Sequence, residues 1–388
     1  MTNFDKVVNR RGTGSVKWDV AEGELPMWIA DMDFPTAPCI TQAILTKAKS
    51  GVFGYQIVPS EWYDAIINWW QTRHGLTIDR EWLCFVKGVV PAVTTAVKRL
   101  TNEGDNVVVL TPIYDTFFHS IENTGRHTLE SPLCYDGASY SIDFADLERK
   151  LSHPNSTLMI LCNPHNPVGK VWSKEELERI GKLCYKHGVT VFADEIHCDL
   201  TKPGVSYVPF ASVSKTCKDI SVNALSASKA FSIPGIQSAA VFVPNKHLRE
   251  VMVRGLNADE FAEPNVFACE ALIAAFNDGG EWLDEVREYI ASNRKIVAEY
   301  LSANIPQVKL LEQDATYLLW VDCSAITDSA DQLCEFIRKH TGLYLNCGTR
   351  YRGNGRYFIR LNVACPKSTL NDGLKRLKAG IDKYIQSK

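Results

Sequence analysis

The sequence predicts an α/β protein, with a large domain built on a mostly parallel sheet sandwiched by helices and a smaller α+β domain beside it. Three observations lead there. Short apolar runs alternate with amphipathic stretches through the middle of the chain. Most of these runs end in polar or glycine-containing turns, and beyond about residue 265 longer helical periods take over. A chain of 388 residues has room for two domains. Its 45% hydrophobic and 22% charged content is that of a folded globular enzyme and excludes a disordered chain. A net charge of −3, from 42 basic and 45 acidic residues, offers no basic field for nucleic acid or an anionic membrane.

The elements follow in order. Leu83–Val86 is a short apolar run ending in Lys87-Gly88, and a helix is expected over 92–100 with its first turn near Val89 and Val90. A buried strand is expected over 106–110 after the turn Gly104-Asp105, and another over 157–162, leading into a loop that runs from Asn163 to Gly169. Ser173 with Glu176 three residues on has capping-box spacing. Leu177, Ile180, Leu183 and Cys184 form the apolar stripe, and Gly188 stops that helix. A strand over 189–193 ends in Asp194, and further strands are expected over 222–225 and 238–243. Such β-α-β units build parallel sheets with right-handed crossovers. Helices over 265–277 and 281–303, strands over 316–321 and 357–361, and a terminal helix from Lys367 make the smaller domain. The expected division is 46–275 for the large domain, and 1–45 with 276–388 for the small one.

The polar start Met1-Thr2-Asn3-Phe4-Asp5-Lys6 lacks the apolar core of a signal peptide, and no apolar stretch is long enough to span a bilayer. Twelve cysteines are scattered singly from Cys39 to Cys365 with no Cys-x-x-Cys pair, which reads as reduced, mostly buried thiols and neither a metal site nor a disulfide framework. A cytoplasmic location is expected.

The chemistry is concentrated in Ser226-Ala227-Ser228-Lys229. A lysine at the end of an apolar run is partly dehydrated and yields its proton more readily than a solvated one. The neutral amine can form a Schiff base with an aldehyde, and neighbouring hydroxyls can hold a phosphate. Pyridoxal 5′-phosphate needs both services; the plain alternative is a surface lysine in a serine-rich loop. Parallel sheets bind ligands at the carboxyl ends of their strands, and Gly88-Val89-Val90, Asn166, Asp194 and Lys229 all fall at such ends. Asp194 suits a pyridine nitrogen and Asn166 a phenolic oxygen. The N–H groups of Val89 and Val90 suit a phosphate at a helix start, and Tyr114 could stack on the ring. Singly, Asp194 could be a turn cap and Asn166-Pro167 a turn starter; their joint placement argues otherwise.

Asn166-Pro167-x-Gly169, Asp194-Glu195-Ile196-His197 and Ser226-x-Ser228-Lys229 together resemble the fold-type I pyridoxal-phosphate enzymes, the aspartate aminotransferase superfamily. Three segments are similar to the MalY/PatB-type cystathionine β-lyases within it: 27–34 (Met-Trp-Ile-Ala-Asp-Met-Asp-Phe), Gly88-Val89-Val90-Pro91, and 360–366 (Arg-Leu-Asn-Val-Ala-Cys-Pro). The likeness runs from about Trp18 to the C-terminal helix. It implies the fold-type I transferase fold and pyridoxal 5′-phosphate as cofactor. Lys229 would carry the imine and act as acid and base, Asp194 would pair with the pyridine nitrogen, and Asn166 with the phenolic oxygen and the substrate carboxylate. Tyr114 would stack, while Ser226, Val89 and Val90 would hold the phosphate. Tyr55 would reach the phosphate of the neighbouring subunit in a homodimer with shared sites, and Arg360 would clamp the substrate α-carboxylate with its two-pronged head. His197 stands beside the cofactor where aminotransferases usually carry tyrosine, and Gln237 where many carry a phosphate-binding arginine.

The resemblance implies α,β-elimination from an L-amino acid bearing sulfur on Cβ, such as L-cystathionine, giving a thiol, pyruvate and ammonia. Two alternatives stay open from sequence: an aminotransferase on the same scaffold, and a lyase with an added regulatory binding role.

Overall fold

The computed structural model describes residues 2–388. Its centre is a seven-stranded sheet in the order Leu83–Val86, Ala239–Phe242, Ser221–Leu225, Thr190–Asp194, Ser156–Cys162, Asn106–Thr111, His127–Pro132. Strands from Ser221–Leu225 to His127–Pro132 pair in parallel, while Ala239–Phe242 runs antiparallel to both of its neighbours. The sequence reading has no direction for that strand. Its link from Leu225 holds only the short helix Ala227–Ala230 and one 3₁₀ turn, too little for a crossover helix, so the chain turns back.

Both faces of the sheet are buried. Val108, Leu110, Met159 and Val191 pack into a cluster on one side; Val107, Val109, Leu158 and Phe192 pack on the other. This is the period-two alternation of strands covered on both faces by helices. The helix Val89–Leu100 buries Val89, Ala92, Val93, Ala96 and Val97, one continuous stripe at helical spacing. Lys174–Lys186 carries the full capping box: the Ser173 Oγ accepts from the Glu176 N–H, and Glu176 returns to the Ser173 N–H. Gly188 follows at φ +68°, a conformation that favours glycine.

A second, four-stranded antiparallel sheet has the order Lys309–Leu310, Leu318–Asp322, Phe358–Asn362, Asn346–Cys347. Helices Gly280–Asn304, Ala330–Thr341 and Lys367–Gln386 accompany it. Leu25–Pro26 pairs in parallel with Leu343–Tyr344, so the amino-terminal segment is stitched to this carboxyl-terminal part. Positions 45/46 and 275/276 fall inside helices Pro38–Ala48 and Ala268–Asp278, which pack on each other. Among the described residues no helix is long and apolar enough to cross a membrane, and all twelve cysteines are free thiols.

Candidate active site

Every parallel strand of the large sheet points its carboxyl end to the same edge, and a cavity of about 180 Å³ opens there. Gly88, Val89, Tyr114, Asn166, Asp194 and Lys229 line it, delivered by the ends of five different strands. A wider groove of about 720 Å³, between Lys202, Arg294 and Leu310, contains none of these groups.

Lys229 sits in Ala227–Ala230, whose start is capped by the Ser226 hydroxyl accepting from the Ser228 N–H at 3.0 Å. Burial and then the Arg360 charge push the Lys229 amine down to about 8, opposed by Asp31 and Asp194. Its Nζ donates to the Ala30 carbonyl at 3.0 Å. Asp194, at the tip of its strand, is pushed up to about 6 by burial, against the Ile196 N–H and Lys229. Its Oδ1 accepts from the Ile196 N–H at 3.0 Å, and among the described residues that backbone donor is the one hydrogen bond the carboxylate has. His197 is pushed down to about 3 by burial, Lys229 and Arg360, so it is a neutral imidazole, and its Nδ1 is buried without a partner.

Arg360 lies in the strand Phe358–Asn362 and is 3% exposed. Its Nη1 donates to Asn166 Oδ1 at 3.2 Å and its Nη2 to the Trp28 carbonyl at 3.1 Å, while its Nε is buried and unpartnered. The guanidinium lies 5.0 Å from the centroid of the Tyr351 ring. Tyr114 forms one cavity wall, set edge-on to Phe117, and burial raises its phenol above the ordinary range.

Also on the cavity lining, Val89 and Val90 begin the helix Val89–Leu100. No side chain caps it, so its first N–H groups are open to an anion. The Ser226 hydroxyl is already engaged, donating to the Ser238 carbonyl at 2.7 Å. Ser238 was not singled out from sequence, yet its Oγ is buried at this edge without a partner. Ala30, which was given no role from sequence, lines the cavity as well, as does Ser228 of the lysine motif. The signal for Ser238 was the strand expected at 238–243: because that strand runs backwards, its amino end shares the edge with the carboxyl ends of the others. Gln237 also lines the cavity, at φ +56°. Tyr55 stands apart from all of these: it is 100% exposed and does not line the cavity of its own chain.

These residues fit pyridoxal 5′-phosphate. A buried carboxylate with one backbone donor lacks the N–H that a protonated pyridine nitrogen would supply. An uncapped helix start and an orphaned Ser238 hydroxyl line the same cavity and suit a phosphate. The Lys229 amine, its pKa lowered to about 8 by burial, lines the same cavity.

Comparison with known proteins bears on the same chemistry. The model of the aminotransferase class I and II family matches residues 25–377. Cystathionine beta-lyase PatB of Bacillus subtilis (strain 168) is 44% identical over 386 residues, covering 98% of this chain and 100% of that protein. Protein MalY of Escherichia coli (strain K12) is 34% identical over 385 residues, 97% of this chain and 98% of that protein. The structure of cystalysin from Treponema denticola, which contains a pyridoxal 5′-phosphate cofactor, superposes with a TM-score of 0.96 at 30% identity, covering 99% of each chain. With a matching fold, a strand-end lysine and carboxylate, and full-length likeness to these proteins, the chain belongs to the aminotransferase class I and II family.

Proposed function

We propose that the protein is a pyridoxal-phosphate-dependent carbon–sulfur β-lyase, cleaving L-cystathionine or a related cysteine S-conjugate to a thiol, pyruvate and ammonia. The observation that carries the cofactor is the Lys229 amine and the Asp194 carboxylate lining one cavity at the strand ends. The full-length kinship with a cystathionine beta-lyase supports elimination as the reaction. The shared family description favours transamination as the second reading.

When bound, the cofactor supplies an aldehyde for amines and an electron-poor ring that stabilises negative charge at the substrate α-carbon. The chain's residues do the rest. Lys229 would hold the cofactor's aldehyde carbon. An amine near pH 8 in its buried setting is divided between base and acid at working pH, so Lys229 can take the α-proton and then hand a proton to the departing sulfur. Asp194 would keep a proton on the ring nitrogen. Asn166, its Oδ1 turned to Arg360, would present its amide N–H to the phenolic oxygen. His197 brings no charge there. Arg360 would receive the substrate carboxylate, with its orphaned Nε as one prong. The N–H groups of Val89 and Val90 would hold the phosphate, with Ser226 and the unpartnered Ser238 hydroxyl beside them, and Tyr114 would face the ring.

The working form is a homodimer in this reading. Val52, Phe53, Tyr55 and Ile57 are all exposed on one short segment, an apolar patch suited to a second copy. Tyr55 would reach the phosphate of that copy. The domain division at 46–275 and a cytoplasmic location belong to the same proposal, the latter supported by twelve free thiols. The deciding experiment is simple. Pyruvate and free thiol released from L-cystathionine without a keto-acid acceptor support the lyase, whereas turnover only with 2-oxoglutarate overturns it.

A further inference from the structure

The segment 27–32 crosses the active-site edge with every carbonyl engaged. The Met27 carbonyl accepts from the Asn362 N–H at 2.9 Å. Asn346 Nδ2 and Arg360 Nη2 donate to that of Trp28 at 2.8 and 3.1 Å. Asn362 Nδ2 donates to those of Ile29 and Asp31 at 2.6 and 2.7 Å, and Arg10 to that of Met32 at 3.2 Å. Between them, the Ala30 oxygen is shared: the Lys229 Nζ and the Tyr317 hydroxyl each donate to it at 3.0 Å. Tyr317 is fully buried at the entry to Leu318–Asp322, and its burial keeps the phenol a protonated donor throughout the working range.

We propose that Tyr317 is a positioning residue for Lys229, its hydroxyl sharing the Ala30 carbonyl so that the oxygen receives the lysine amine but does not hold it fast. This rests on the reading of Lys229 as the cofactor's lysine. An amine that leaves and returns to the aldehyde carbon needs an acceptor within reach while it is free. A carbonyl bonded only to an ammonium would favour the protonated, unreactive form. A second donor draws on the same oxygen and weakens its grip on the first. The strap is pinned on either side of Ala30 by Asn362, so this sharing is separable from the strap's position.

The other groups facing Lys229 are Arg360, which drives its proton off, Asp31 and Asp194, which retain it, and the neutral His197. None of these changes when Tyr317 loses only its hydroxyl.

The test is the rate at which the full-length apoenzyme captures pyridoxal 5′-phosphate, followed by absorbance across pH 6–10. In Tyr317→Phe the profile is expected to move up by about half a pH unit, a capture about threefold slower below the midpoint. Tyr317→2,3-difluorotyrosine keeps the shape and donates more strongly, so its profile should move down. Profiles of both variants superposing on the wild type, or shifts of the opposite sign, overturn the proposal while leaving the cofactor reading intact. A wild-type apoenzyme that captured no cofactor would overturn both.

Discussion

Arg360 donates to the amide oxygen of Asn166 at 3.2 Å, so the proposed carboxylate clamp also orients the proposed partner of the cofactor's phenolic oxygen. The two roles are mechanically linked. Arg360→Lys keeps the charge but loses the planar fork. It should raise KM for an amino-acid substrate by about ten- to a hundredfold, the loss of a charge-assisted bond of about 1.5–3 kcal/mol. Because Asn166 loses its anchor, the visible band of the bound cofactor should shift in the same variant. An unchanged KM, read alongside the spectrum, would remove Arg360 from substrate binding.

Lys229→Ala tests the centre of the site. Borohydride should reduce the wild type to a stable adduct at this position and leave the variant unmodified. Elimination should fall by at least about three orders of magnitude, since nucleophile, base and acid are lost together. Trapped label at any other residue, found by peptide mapping, would reassign the cofactor lysine.

The parts of this architecture read from sequence are those whose cause is local. Ser173 and Glu176 announce their helix within four residues, and the β-branched run after Gly104-Asp105 can only be a buried strand. Asp194 and Lys229 were legible because strand ends are legible and a parallel sheet gathers its strand ends on one edge. Tyr317 was not. Its meeting with Ala30 spans 287 positions and depends on the pairing of Leu318–Asp322 with Phe358–Asn362, and its partner is a backbone carbonyl that leaves no mark on the sequence. Ser238 was hidden by direction: nothing in 238–243 says that the strand runs backwards.

Glu195, next to Asp194, points away from the cavity and is fully buried. Its Oε1 accepts from the Phe210 N–H at 2.8 Å, and burial holds its carboxyl at about 8, against the nearby Tyr207 and the Phe210 N–H. In the unfolded chain the same group titrates near 4.5. Between those values the folded protein keeps a proton that the unfolded chain has released. The stability this gives is complete below the lower value and is lost as pH rises through the upper one. Glu195→Gln retains the acceptor for Phe210 and cannot ionise. It should come within about 1 kcal/mol of the wild type near pH 5 and exceed it by about 4 kcal/mol near pH 8, measured by urea unfolding of the full-length chain. Asp194 titrates in both proteins, and its negative charge is one of the influences that raise the Glu195 carboxyl. A gap that stayed constant with pH would mean that Glu195 is ionised in the fold.

Tyr55 poses the question of assembly, because it is fully exposed and does not line the cavity of its own chain. If Tyr55 acts across a dimer interface, Tyr55→Ala and Lys229→Ala impair the same site from opposite subunits. Each variant alone should be weak or inactive. Unfolded together and refolded at equal amounts, half of the dimers are mixed. In each mixed dimer one site receives both lesions and the other receives neither. Activity should therefore recover to about a quarter of the wild-type value, with the recovered fraction following the proportion of mixed dimers by native mass spectrometry. Phe53→Asp, which places a charge in the same exposed apolar patch, should shift the species to monomer in sedimentation and abolish that recovery. Mixed dimers that form without restoring activity would put Tyr55 outside the partner's site, and the phosphate would then rest on groups of a single chain.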